Sequence, residues 1–305
     1  MDGILNIYKK RGFTSHDVVA KLRGILHQKK IGHTGTLDPD AEGVLPVCLG
    51  NATKLCGMLT DTSKVYRCTM VLGRTTDTQD ASGKTVSQAP VTSTEDEVRA
   101  AVKGFIGQYD QIPPMYSAKK VNGKKLYELA REGKEWERAA CPVEIYDISL
   151  DQLELPKAVL TVSCSKGTYI RTLCHDIGQK LGCGAYMEDL LRLRVGQFVL
   201  DDALSLEEVE RMRDVGCLKQ ALISVESVFS SLPCAKVTEA GERFLYNGNP
   251  LMPSNLSEPM QLCPHQQIRV QDSRGRFCAL YRWDEEKGQY RPERMFLPGR
   301  VRELK

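Results

Sequence analysis

Residues 157–182, KAVLTVSCSKGTYIRTLCHDIGQKLG, change period in mid-course. KAVLTVSCS alternates apolar and polar residues as a half-buried strand does, and the next stretch sets Ile170, Leu173, Ile177 and Leu181 along one face of a helix. The same mixture recurs earlier without a regular strand–helix–strand rhythm. SHDVVAKLRGILHQKK reads as an amphipathic helix, with Ser15 as N-cap, Val18, Leu22, Ile25 and Leu26 as its apolar stripe, and C-terminal lysines that suit its dipole. NATKLCGMLT reads as a second, short helix and SKVYRCTMVLG as a strand carrying Tyr66. STEDEVRAAVKGFIG has two overlapping capping-box signals, Ser93 with Asp96 and Thr94 with Glu97, ahead of Val98, Val102 and Phe105. Such a mixture predicts an α+β domain with a mixed, largely antiparallel sheet flanked by helices, closed by an acidic helix after Leu200. Beyond residue 230 the texture changes. QQIRVQDSRGRFCALYRW reads as two strands about a DSRG turn, YNGNPLMPSNLSEPMQ as loop, and YRPERMFLPGRV as a proline-punctuated end. We therefore expect two domains, 1–230 and 231–305, the second small and β-rich.

Composition narrows the class. With 41% hydrophobic residues in 305, a real core can be buried. No run of eighteen apolar residues and no basic-then-apolar leader occurs, so a soluble, cytoplasmic protein without a membrane partner is expected. Eleven cysteines are scattered without a CxxC or a histidine at zinc-ligand spacing, which predicts free thiols and no metal. Net charge is only +3, yet residues 9–30 hold seven Lys or Arg against Asp17 alone, residues 117–131 hold five against one acid, and residues 201–214 hold six acids against two arginines. Basic runs are commonly plain solvated faces; phosphate is the alternative.

In KIGHTGTLDPDAEGVLP, Asp38 stands between a leucine and a proline, with Gly32, Gly35 and Gly43 breaking regular structure around it. Pro39 keeps the preceding residue extended, so the loop presents an acid in a restricted direction. An Asp before Pro is more often a turn cap than a catalyst. The block also lacks the GK[ST] ending of a phosphate-binding P-loop. Tyr66 and Tyr169, alone, read as half-buried aromatics, and His33 and His175 as structural histidines. Arg171, in the first turn of its helix, opposes the dipole, which suggests that an anion holds it there.

Taken together, GHTGTLDPDAEGVLPVCLGNATKL, SKVYRCTMVLGRTTDTQDASG, QIPPMYSAKKVNGKKLYELAREG and CSKGTYIRTLCHDIGQKLGCGAYMEDLLRLRVGQF resemble, in that order, the TruB family of tRNA pseudouridine synthases. The resemblance runs from Ile4 to about Phe198 and includes YKKRGFTSHDVVAKLRGIL. The stretch after Ser230 resembles, more loosely, the PUA-like RNA-binding domain that many members carry. One departure is visible: the family usually has Lys-Pro where Lys9 is followed by Lys10, which bears on local loop shape.

The resemblance implies a cofactor-free isomerase that turns uridine into pseudouridine in the T-loop of tRNA, at the position conventionally numbered 55. It implies Asp38 as the catalytic carboxylate, Arg171 as its cationic partner and Tyr66 as the ring stacked on the flipped uracil. His33, Tyr169 and Leu190 would line the RNA pocket, and Asp80 would stand behind the reacting groups. The expected partner is the tRNA T-arm, bound by a monomer. Two other readings stay open: an RNA-binding or tRNA-folding module in which catalysis is incidental, and a relative guided by RNA within a particle.

Overall fold

The computed structural model describes residues 1–117, 119–121, 124–126, 136–258, 260 and 263–297. Most of the basic segment 117–131 lies outside them. The chain opens with β1 (Gly3–Lys9) and turns into α1 (Ser15–Leu26). The cap of α1 is Thr14, not Ser15: Thr14 Oγ1 accepts the Asp17 N–H at 3.0 Å, and the Asp17 carboxylate accepts the Thr14 N–H at 2.8 Å. Ser15 faces inward instead, its hydroxyl oxygen accepting the Leu37 N–H at 2.9 Å. The helix stops where His27 takes up left-handed geometry, φ 49°, so Lys29 and Lys30 lie beyond it and Arg23 is the base of its last turn. The apolar face of α1 (Val18, Val19, Leu22, Leu26) packs on Leu5 and Ile7 and on strand residues Leu45, Val47 and Leu49, each side chain contributing roughly 1.5–3 kcal/mol on burial.

β2 (Ile31–His33) and β3 (Glu42–Leu49) pair antiparallel, so Gly32 and Gly43 sit inside strands rather than breaking them. A 3₁₀ segment, Gly50–Leu55, leads to α2 (Cys56–Thr60), then β4 (Lys64–Leu72) and the hairpin β5 (Arg74–Thr76) and β6 (Thr85–Gln88). α3 (Glu95–Lys103) uses the Thr94–Glu97 capping box; it ends before Phe105, which packs beside the core from the following turn. β7 (Gly107–Gln111), β8 (Lys120–Val121), β9 (Lys124–Lys125), β10 (Cys141–Glu154) and β11 (Lys157–Cys164) lead to α4 (Ile170–Lys180). β12 (Ala185–Val195), β13 (Phe198–Val199) and the acidic α5 (Leu206–Asp214) complete this part.

Among the described residues the main sheet has nine strands, ordered β1-β3-β12-β4-β11-β10-β7 with β2 and β13 attached. Its neighbours are antiparallel except β12 with β3, which pair in parallel through Leu191–Glu42 and Arg192–Gly43. This is the mixed, largely antiparallel sheet expected. Met70, Leu160 and Val162 pack against Leu173 and Ile177 of α4. The β12–β3 contact is tight. Gly43 has φ +107°, and a Cβ there would lie 2.3 Å from the Arg192 carbonyl oxygen. Gly43→Ala should therefore cost roughly 3 kcal/mol, from backbone strain and overlap combined. Gly24→Ala, helical with open space around it, should be neutral or stabilising by about 0.5–1 kcal/mol. Urea titration of the two variants measures the contrast.

The last strands form a separate sheet, β14 (Cys234–Lys236), β15 (Gln267–Gln271), β16 (Phe277–Asp284) and β17 (Gln289–Met295), in that spatial order, with the short helix α6 (Glu242–Tyr246) between β14 and β15. The stretch YRPERM is thus a strand and not merely a punctuated end. It tolerates Pro292 because β17 is the last strand of its sheet, its outer side bridged at Tyr290 by Leu251 but not at Pro292 among the described residues, and the register shifts beside Tyr281. Tyr246 and Pro253–Asn255 bring helical turns into what reads as loop. Phe229 lies 6.1 Å from both Phe277 and Phe296, and Lys54 Nζ donates to Met295 O at 2.7 Å, so this sheet leans on the first part.

Candidate active site

The loop between β2 and β3 carries Asp38. The Asp38 carbonyl accepts the Ala41 N–H at 3.1 Å, closing a turn across Pro39 and Asp40, and Pro39 O accepts the Gly12 N–H at 2.9 Å. Two fully buried cations hold this loop from beneath. Lys9 Nζ donates to Pro39 O (3.1 Å), Ala41 O (2.6 Å) and Lys10 O (3.2 Å). Arg192 donates from Nε to Val44 O (2.7 Å) and from its terminal nitrogens to Thr36 O (3.4 Å) and Gly35 O (3.2 Å). Burial pushes the Lys9 ammonium down to about 8, Asp38 and Glu42 opposing. Lys10 is anchored by Glu207 of α5 at 2.9 Å.

The loop aims Asp38 into a cavity of about 770 Å³. Arg171 meets it there. Arg171 Nε lies 3.1 Å from Asp38 Oδ2 and a terminal nitrogen 3.3 Å from Asp80 Oδ2, while the same guanidinium donates to Thr78 O (3.3 Å) and Tyr116 O (3.0 Å). The anions expected of an arginine at a helix start are these two carboxylates. Asp80 is fixed in turn by the Thr78 hydroxyl (2.6 Å) and by the Ser82 N–H and hydroxyl (3.0 and 2.6 Å).

The Asp38 side chain keeps 41% of its surface open, against 6% for Arg171. Solvent reaches the carboxylate, but protein crowds it on the remaining sides. That desolvation raises its pKa above the ordinary 3.8, Arg171 pulls it back, and Asp80 adds to the rise. An ionised carboxylate held this way is poorly solvated and forward-facing, as a nucleophile or base requires.

Of the residues singled out from sequence, Asp38, Asp80, Arg171 and Leu190 line the cavity. Tyr66, Tyr169 and His33 are not among its lining residues. Tyr66 is buried in β4, its hydroxyl pushed up by burial while the Arg192 guanidinium pulls it back. Tyr169 precedes α4 half-buried, its N–H donating to Gln111 Oε1 at 2.7 Å. The His33 Nδ1 accepts the Gly35 N–H at 3.3 Å, and its ring meets His16 edge to face at 5.3 Å. Burial, with His16 and Arg192 nearby, pushes His33 below its usual range, so it is neutral at pH 7. It is His16, passed over in the sequence, that borders the cavity. His175 lies elsewhere, half-buried on α4.

The basic run 9–30 is not one free stripe. Lys9 is buried, Lys10 pairs with Glu207 and Arg11 with Asp189 at the cavity rim, leaving Lys21, Arg23, Lys29 and Lys30 exposed. Arg192 escaped sequence reasoning entirely: an arginine between leucines in a strand carries no sign that it is buried. Among the described residues no group of three or more His, Cys, Asp or Glu converges as a metal would need.

Comparison with known proteins bears on this geometry. Residues 23–170 match the model of the TruB family pseudouridylate synthase N-terminal domain, and residues 171–230 that of the tRNA pseudouridylate synthase B C-terminal domain. A tRNA pseudouridine synthase B of Lachnoclostridium phytofermentans is 51% identical over 97% of this chain and 100% of its own length. The Geobacter sulfurreducens protein of the same name is 46% identical over 82% of this chain and 83% of its own. Among solved structures, a chain from the "Crystal Structure of a Cbf5-Nop10-Gar1 Complex" superposes with TM-score 0.73 at 26% identity, covering 97% of this chain and 85% of that one. With such identity sustained from end to end, and with the GHTGTLDP aspartate set against an arginine in an open cavity, the chain belongs to the TruB family of tRNA pseudouridine synthases.

Proposed function

We propose that this chain converts uridine to pseudouridine in the T-loop of tRNA, at the position conventionally numbered 55, and that Asp38 is its reacting carboxylate. The carrying observation is the Asp38 carboxylate in the cavity, 3.1 Å from a buried guanidinium. In the reaction the N1–C1′ bond breaks, the uracil turns, C5 bonds to the same C1′, the C5 proton leaves to water, and N1 takes up a proton in its place. Nothing is oxidised and no atom is added, so the chemistry asks for no cofactor. It asks for a carboxylate that either attacks C1′ or removes a C2′ proton. Arg171 keeps that carboxylate ionised and aimed, and Asp80 holds Arg171.

A stacked base must leave its helix to reach the cavity, at a cost of a few kcal/mol that stacking and edge contacts offset. Tyr66 is assigned to the face of the flipped uracil, with Leu190, Tyr169 and His33 supporting the displaced nucleotides. Tyr66 is buried in β4 and does not line the cavity, so stacking on the base requires its ring to be uncovered. The exposed lysines of residues 21–30 suit a phosphate backbone, and RNA loops are read by shape and splayed bases. Residues 1–230 would form the catalytic domain and 231–305 a PUA-like RNA-binding domain, in a monomer working in the cytoplasm; the separate four-stranded sheet supports that division. Among the described residues no helix is long and apolar enough to cross a membrane.

A T-arm transcript labelled with tritium at uridine C5, incubated with the protein and EDTA, tests the reading. Tritium should pass to water in step with pseudouridine formation, in one position only. Tight binding without tritium release would instead mark an RNA-binding module.

A further inference from the structure

We propose that Arg192 is a positioning residue for this reaction: its buried guanidinium holds the Asp38 loop while its backbone pairs with the strand of Tyr66, so that carboxylate and tyrosine keep one relative placement. The inference rests on Asp38 being the reacting carboxylate.

The topology places Arg192 between the two, loop and strand. β12 lies between β3 and β4, and Arg192 is in register with Gly43 on β3 and with Tyr66 on β4. Because position 43 bears no side chain, the two backbones come close, and the guanidinium reaches back over β3. There Nε serves Val44 O at the strand, while the terminal nitrogens serve Gly35 O and Thr36 O, the carbonyls immediately preceding Leu37 and Asp38. On its other flank the Arg192 backbone is the antiparallel partner of Tyr66.

The partners are unusual for a buried arginine. Its exposure is 1%, and among the described residues no carboxylate lies within ion-pair distance of it. A buried guanidinium without a counter-ion burdens the fold, and apolar side chains commonly do as well or better where packing alone is required. What an apolar side chain cannot supply is a rigid planar donor pointing in several directions at once. Here those directions are Gly35 O and Thr36 O in the Asp38 loop and Val44 O on β3.

Loss of this clamp should let the loop drift without unmaking the cavity. A misplacement of about 1 Å is enough to lower a rate by roughly 10²-fold. We therefore expect Arg192→Met and Arg192→Lys to lower the single-turnover rate on a T-arm transcript by roughly 10- to 100-fold while the dissociation constant for that RNA stays within about threefold. Lysine keeps the charge but not the fork, so Arg192→Lys should rescue little. Thermal melting of each variant separates positioning from collapse, and if Arg192→Met fails to fold, Arg192→Lys carries the test. A single-turnover rate within twofold of the parent in the folded variants overturns the proposal. So does a fall in rate matched by an equal fall in RNA affinity, which is what a merely structural role would give. Asp38→Asn is run alongside: if it remains active, the assignment of Asp38 has failed, whereas an inactive Asp38→Asn beside fully active Arg192 variants rejects only the role given to Arg192.

Discussion

Asp38→Asn should lower pseudouridine formation by at least roughly 10³-fold while leaving T-arm RNA affinity within a few-fold of the parent. The amide matches the carboxylate in shape and can still accept from Arg171 Nε, so the loop should keep its place. It cannot supply the negative charge that either mechanism needs at the sugar. Stability supplies a second readout. Crowding raises the pKa of Asp38 in the folded protein, so between 3.8 and that raised value the folded state binds more protons than the unfolded one. Stability linked to this group is therefore present at low pH and lost as pH rises through the folded pKa. At pH 7 the ionised Asp38 is a burden on the fold, and Asp38→Asn should melt no lower than the parent, as sites built for chemistry rather than stability often show. Simultaneous loss of activity and RNA binding would sink the assignment.

Arg171→Met should be nearly as damaging to activity, by roughly 10²-fold or more, for a different reason. The guanidinium touches Asp38, Asp80, Thr78 O and Tyr116 O at once and so joins three separate loops around the cavity. Methionine fills similar volume but leaves two carboxylates facing each other without a cation. Arg171 is also the principal influence holding the Asp38 pKa down, so its removal should move the acid limb of the pH–rate profile upward. The sign follows from the role proposed for Asp38: activity that needs the carboxylate should be lost as pH falls through its pKa, and lost sooner when that pKa is higher. Since Asp38 is 41% exposed, solvent screens part of the broken pair; the loss of stability should be about 2 kcal/mol, below that of a fully buried pair. Arg171→Lys should recover little, because one ammonium cannot satisfy four acceptors in different directions. Single-turnover rates from pH 5 to 9 and urea unfolding check both statements. An unmoved acid limb would mean that Arg171 does not set the ionisation of Asp38.

Much of this was legible in the chain because the signals are local. The alternation of KAVLTVSCS became β11, the stripe Ile170, Leu173, Ile177 became α4, and Thr94 with Glu97 capped α3, each decided by residues a few positions apart. The resemblance carried by GHTGTLDP pointed to Asp38, and the oddly charged first turn of α4 pointed to an anion beside Arg171. Local signals also misled at boundaries. Ser15 looked like a cap but was claimed by Leu37, and Pro292 looked like a stop but found an edge.

Sequence by itself determined the periods of the elements, hence the α+β class, and an acid, Asp38, held extended by the proline that follows it. Only tertiary structure decided what stands around that acid. The bond from Arg192 to Val44 joins residues 148 positions apart, and the bareness required at Gly43 follows from β12 entering between β3 and β4. Periodicity is written in neighbouring residues, whereas strand order is a property of the closed sheet. A charge on β12 acquires its meaning only from which strands lie on either side.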